Sequence, residues 1–255
     1  MQLFFRETGK GEPLIILHGV FGSSDNWLTI AKILGENFRV ILLDQRNHGQ
    51  SPQSENHNYQ AMADDLLEFL DTHQIQKANI IGHSMGGKTA MQFAVQHPER
   101  VKKMIVVDIA PKQYLVHHGK ILRGLNAIDL ATLPTRQEAD RILAEYEPDS
   151  STRQFLLKNL YRTENSKFAW RMNLPTLTRE IGNVVAPLQS NQPVMVNTLF
   201  MKGAKSWYIT TEDEAKIKDI FPLATFVSIP DAGHWIQAEQ PEKFVEATRS
   251  FLFEA

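Results

Sequence analysis

The 255-residue sequence predicts an α/β fold built around one mostly parallel sheet. Two observations lead there. Short β-branched apolar runs alternate with longer patterns of helical period, which is how a parallel sheet flanked by helices reads in sequence. That rhythm stops after Ala110, gives way to helical patterns alone from Pro111 to Ala186, and then resumes. The expectation is one sheet interrupted by a helical insertion of some 75 residues.

The elements follow in order. Leu3–Arg6 reads as an antiparallel edge strand, and Leu14–Leu17, Val40–Leu43, Asn79–Ile81 and Met104–Val107 read as buried strands. Each buried run ends in a polar or glycine-containing turn: His18-Gly19, Asp44-Gln45, Gly82-His83 and Asp108. Helices are predicted at Trp27–Leu34, Gln60–Asp71 and Met85–Gln96, the last stopped by Pro98. Pro134, Pro148, Pro175 and Pro187 break the insertion into short helices. Strands return at Val194–Phe200 and Thr225–Ile229, and a last helix spans Pro241–Phe253. The corresponding division is 1–110 core, 111–190 helical cap and 191–255 core.

Composition narrows the function. Lys+Arg number 27 against Asp+Glu 29, a net charge of −2, which argues against nucleic-acid binding because phosphate calls for a basic field. With no cysteine there is no thiolate metal site and no catalytic thiol. No apolar run reaches the ~20 residues of a membrane span, and the charged first ten residues do not read as a secretory signal. A cytoplasmic protein without a membrane partner is expected; the oligomeric state is not legible.

Gly82-His83-Ser84-Met85-Gly86 fits G-x-S-x-G between a predicted strand and a predicted helix. A sharp strand-to-helix turn lifts the Ser84 hydroxyl clear of the sheet, and the glycines remove Cβ atoms that would collide. The helix N-terminus then aims the Met85 N–H at an anion. The same stretch also fits the phosphate-binding pattern G-x-x-x-x-G-K-[ST] through Gly82, Gly87, Lys88 and Thr89. That nucleotide reading leaves the His18-Gly19 turn and Gly233-His234 unexplained. The serine reading uses both: Val20 N–H as second oxyanion donor with Phe21 lining the pocket, and His234 as base. Of nine histidines, His234 alone follows the final strand, and the order Ser…Asp…His suits the serine reading. His83, His97, His117 and His118 read as packing or surface residues, and no metal-ligand spacing is present.

Four segments carry a family resemblance: His18-Gly19-Val20-Phe21-Gly22-Ser23, Asp44-x-Arg46-Asn47-His48-Gly49-x-Ser51, Gly82–Lys88 and Val107-Asp108-Ile109-Ala110-Pro111. Together with Gly233-His234-Trp235 they resemble the α/β-hydrolase superfamily, and within it the YbfF-type bacterial esterases. The resemblance implies an eight-stranded sheet with a helical cap after the sixth strand. It also implies hydrolysis of carboxylic esters or acyl-CoA thioesters without cofactor or metal. The wider superfamily places its acid after the seventh strand, where this chain has Ser206. Glu212 and Asp213 lie further on, where they read as helix-capping carboxylates. Asp108 is therefore the expected acid, completing Ser84, Asp108 and His234. His48 and Trp235 are candidate pocket residues, and so is Trp170 among the aromatics of the insertion. The same fold also supports C–C bond hydrolysis and perhydrolysis, which remain alternatives.

The insertion from Pro111 to Ala186 carries eleven Lys/Arg and eight Asp/Glu, a charge of +3 over a body of −5. Such a surface would attract an anionic substrate such as a CoA ester, although ordinary solvated helix faces read the same way.

Overall fold

A computed structural model describes residues 1–188 and 190–253. The first five strands are β1 (Phe5–Thr8), β2 (Glu12–Leu17), β3 (Phe38–Leu43), β4 (Ala78–His83) and β5 (Val101–Val107). A short hairpin of β6 (Leu160–Arg162) and β7 (Phe168–Trp170) stands apart, and β8 (Thr198–Gly203) and β9 (Ala224–Ile229) complete the main sheet. Its order is β1-β3-β2-β4-β5-β8-β9, with only β1 antiparallel to its neighbour. Seven strands are found where the resemblance implied eight. The strand before the insertion is thus the fifth in chain order rather than the sixth.

The central strands are apolar at nearly every position because both sheet faces are covered. Leu14 and Ile16 point to one face and Ile15 and Leu17 to the other, the period of two expected of a strand. On the second face lie α2 (Tyr59–Thr72) and α3 (Met85–Gln96), following α1 (Leu28–Leu34), which packs on the first with the C-terminal helix. Asn58 caps α2 by accepting a hydrogen bond from Ala61 N at 2.9 Å. Helix α3 ends at Gln96, and Pro98 follows.

Between β5 and β8 the chain forms α4 (Gly119–Asn126), α5 (Arg136–Ala144), α6 (Ser150–Leu157), α7 (Leu174–Arg179) and α8 (Ile181–Val185), with the β6–β7 hairpin after α6. The hairpin was not expected: arms of three residues are too short to display alternation. The apolar side chains of this insert meet Val20, Phe21, Tyr59 and Met85 in a core of their own. Gln189, beside the expected boundary at 190, and residues 254–255 lie outside the described residues.

The late strand also differs from expectation. Val194 and Val196 are buried but precede the ladder, which begins at Thr198 and runs to Gly203. A buried apolar run reads alike in sequence whether it pairs in the sheet or packs beside it. The chain ends in α9 (Thr211–Ile220), α10 (Ile236–Glu239) and α11 (Pro241–Phe253). Among the described residues no helix is long and apolar enough to cross a membrane.

Candidate active site

The parallel register brings three turns to one edge of the sheet. Gly82 pairs with Leu17, His83 with Val107, and Val107 with Met201. The residues that follow β2, β4 and β5, namely His18, Ser84 and Asp108, therefore leave the C-terminal edge side by side, where ligands of parallel sheets bind.

Ser84 has φ 51° and ψ −117°, a left-handed conformation that a non-glycine residue rarely adopts. Its N–H donates to Val107 O at 3.0 Å, tying the turn to β5. The flanking glycines are required by close approach. A Cβ on Gly82 would lie 2.3 Å from Gly86 O, and one on Gly86 would lie 2.3 Å from Leu17 O. Any side chain there would push α3 off the sheet. Met85 opens α3, so its N–H has no acceptor within the helix.

Asp108 follows β5 with φ 50° and is wholly buried. Its Oδ1 accepts from Gly203 N at 3.1 Å, and its Oδ2 accepts from His234 Nδ1 at 2.8 Å and from the Ser206 hydroxyl. Burial pushes the carboxyl up to about 6, against the opposing pull of the Ser206 and Gly203 donors. Burial also drives the His234 imidazole down to about 3, with the neighbouring His117 adding in the same direction. The imidazole is thereby held neutral, with Nδ1–H given to Asp108 and Nε2 left as an acceptor.

Two neighbours fix His234 further. Its ring stacks on Tyr208 at 3.9 Å and 15°, and lies 4.7 Å from the His83 ring. His83 Nε2–H donates to His234 O at 2.9 Å. The Tyr208 hydroxyl in turn contacts His117 Nε2 at 2.6 Å.

Ser84 and His234 line one cavity of about 170 Å³. Val20, Phe21 and Trp235 line it, and the insert contributes Ile121, Thr152 and Phe155. Among the described residues no hydrogen bond joins Ser84 Oγ to His234; such contacts often tighten only with substrate in place.

Two expected pocket residues stand elsewhere. His48 is fully buried behind the loop, where its Nε2 accepts from Phe21 N at 3.1 Å. Trp170, on β7, packs against the core of the insert rather than lining the cavity. Conversely, His117, His118, Tyr208 and Gln237 line the cavity without having been singled out for it. The loop position of Tyr208, two residues past Ser206, was the only available signal.

Lys88, in the first turn of α3, does not line the cavity. It is buried, and its Nζ donates to Lys112 O at 2.9 Å, Val185 O at 3.3 Å and Ala186 O. All three protons go to backbone where the insert leaves and rejoins the core, which leaves none for a nucleotide phosphate. Asp213 caps α9, accepting from Thr210 N at 2.8 Å, and pairs with Lys112 at 2.6 Å, as the capping reading anticipated. Among the described residues no group of His, Asp or Glu is gathered to hold a metal ion.

The sheet order, the left-handed turn at Ser84 and the Asp108–His234 pair at one sheet edge define an α/β hydrolase. A family model described as alpha/beta hydrolase fold matches residues 12–241, and the chain belongs to that family. It is 37% identical over 245 residues to "Esterase YbfF" of Escherichia coli (strain K12), covering 95% of this chain and 94% of that protein. It is 36% identical over 247 residues to "sn-1-specific diacylglycerol lipase ABHD11" of Mus musculus, covering 94% and 80%. A solved structure titled "Marine microorganism esterase" superposes with a TM-score of 0.96 at 46% identity, covering 98% of this chain and 99% of the other.

Proposed function

We propose that the protein is a serine hydrolase that cleaves carboxylic esters and acyl-CoA thioesters through an acyl-enzyme on Ser84. The observation that carries this reading is the meeting of the strained Ser84 turn and the Asp108-bound His234 in one cavity. The esterase and lipase named among the similar proteins support its ester part.

In the reaction His234 Nε2 takes the Ser84 proton as Oγ attacks the acyl carbonyl. The carbonyl oxygen becomes an oxyanion held by the N–H groups of Val20 and Met85. Collapse expels the alcohol or thiol, which leaves with the proton carried by His234. Water then attacks the acyl-enzyme, gives its proton to His234, and releases the carboxylic acid as Ser84 is reprotonated. Asp108 keeps His234 in the productive tautomer and offsets its transient positive charge.

The cavity is smaller than the roughly 300–1,000 Å³ of drug-sized ligand sites. It suits the acyl portion, with the leaving group extending to the mouth. The net charge of +3 on the insert favours approach of an anionic substrate such as a CoA ester. An ester and thioester panel of increasing acyl length, run with wild type and Ser84→Ala, tests the reading. Turnover of both substrate classes that is lost in Ser84→Ala supports it; turnover retained by a folded Ser84→Ala contradicts it, and turnover of esters alone removes the thioester part.

A further inference from the structure

Phe21 is where the core and the insert both grip the loop that carries Val20. Its φ is 61°, a left-handed conformation unfavourable for a side chain of this size. The core holds its N–H, which donates to His48 Nε2 at 3.1 Å. The insert holds its C=O, which accepts from Asn159 Nδ2 at 2.7 Å. Hydrogen bonds on both sides of one residue fix both peptide planes, and the bond from Gly22 N to Gly19 O at 3.0 Å closes the turn around Val20.

Both anchors are themselves fixed. His48 Nδ1–H donates to Arg46 O at 3.0 Å, which sets the tautomer and leaves Nε2 as acceptor. Arg46 is clamped by Asp65 through two hydrogen bonds, at 2.6 and 2.9 Å. Asn159, buried between α6 and β6, gives its other amide proton to Leu156 O at 3.1 Å, and its own C=O accepts from Arg171 N at 2.8 Å. The turn bearing His48 is also docked on the insert: Asn173 N donates to Asn47 O at 2.9 Å, and its Nδ2 donates to Asn47 Oδ1 at 3.1 Å.

We propose that His48 and Asn159 are positioning residues that hold the Phe21 peptide and thereby aim the Val20 N–H at the reacting carbonyl. Through Asn159, seating of the insert and assembly of the anion-binding pair become one event. The Asp44–Ser51 turn is the bracket between them, holding Phe21 through His48 and the insert through Asn47. This rests on the reading of Val20 and Met85 as oxyanion donors. Losing one such donor outright slows turnover about 10²–10³-fold, so misaiming one should slow it about tenfold.

The test uses Asn159→Ala, His48→Ala, His48→Gln and the Asn159→Ala/His48→Ala double variant, with p-nitrophenyl acetate as substrate. Expected are a kcat loss of about tenfold in each alanine variant, KM within about twofold, and partial rescue by His48→Gln, whose carbonyl can still accept. Affinity for a boronic acid, which mimics the tetrahedral adduct, should fall in step with kcat. The double variant should lose less than the product of the single losses, because both act through Phe21. Unchanged kcat in folded Asn159→Ala, a loss in KM alone, or fully multiplicative losses would overturn the proposal. Should His48→Ala not fold, Asn159→Ala still decides through its kcat and boronic acid affinity. Fluorophosphonate labelling of Ser84 separates the two levels. Wild type left unlabelled would overturn the acyl-enzyme reading and this coupling with it, whereas labelling with unchanged kcat in Asn159→Ala would overturn the coupling alone.

Discussion

Ser206 donates its hydroxyl to the same Asp108 oxygen that accepts from His234. The serine in the loop after β8 thus supports the carboxylate after β5 rather than supplying an acid of its own. Its bond favours the charged carboxylate against the desolvation that would protonate it.

Asp108→Asn should lower kcat by about 10³–10⁴-fold, since an amide at this position no longer holds the reactive imidazole tautomer. Ser206→Ala should lower it about tenfold, through a less stable Asp108 charge. Asp213→Asn and Glu212→Gln should stay within a few-fold of wild type, with Asp213→Asn losing about 1 kcal/mol of stability through its weakened cap. Steady-state kinetics and urea denaturation of the four variants check this. A reversed ranking would place the acid in the loop after β8.

The pH dependence follows from burial. The ordinary histidine value of 6.5 predicts an acid limb near pH 6–7, but desolvation moves His234 well below that. A base that stays neutral at lower pH stays active there. The limb in kcat/KM should therefore lie no higher than about pH 6, where the buried Asp108 carboxyl takes up its proton, measured by initial rates where circular dichroism shows the fold intact. A limb at or above 6.5 would show that His234 is not desolvated as the structure has it.

Stability should move with pH for the same reason. Burial lowers His18 to about 4, and His48, His57, His83, His118 and His234 to about 3. Below about 6.5 the unfolded chain binds protons that these folded histidines refuse, so unfolding is favoured as pH falls from about 6.5 toward 3. Each contributes at most about 1.4 kcal/mol per pH unit over that window. Thermal midpoints should drop steeply between pH 6.5 and 4.5; a flat profile would contradict the burial.

Lys88→Met should destabilise the protein by about 1–3 kcal/mol, because three backbone carbonyls lose their donor. Read from sequence alone, Lys88 is an ordinary residue in the first turn of a helix, and its alanine variant would be nearly silent for catalysis. Urea denaturation measures the loss. Wild type should bind no ATP, and saturable ATP binding abolished by Lys88→Met would revive the nucleotide reading.

The sequence made legible whatever depends on local spacing. Helices α3 and α11 match their predicted bounds, because Pro98 and Pro241 mark them, and the strands are recognisable as apolar runs closed by turns. The G-x-S-x-G glycines were readable because their close contacts lie within one turn and with the strand beside it. What escaped depends on long-range approach. His48 was read as facing the pocket, but it is spent on the Phe21 peptide 27 residues away. Asn159 and Phe21 are 138 residues apart. Tyr208 and His117 meet only because the insert root folds back over β8's loop. None of these contacts leaves a periodic trace.

Peptide mass spectrometry after rapid acid quench of the enzyme mixed with a short-chain p-nitrophenyl ester detects the acyl-enzyme on Ser84 itself. The mass of one acyl group is expected on the peptide containing Ser84, formed with a burst of p-nitrophenol and absent in Ser84→Ala. Hydrolysis that proceeds with no adduct, or with the acyl group on another residue, would contradict the acyl-enzyme reading.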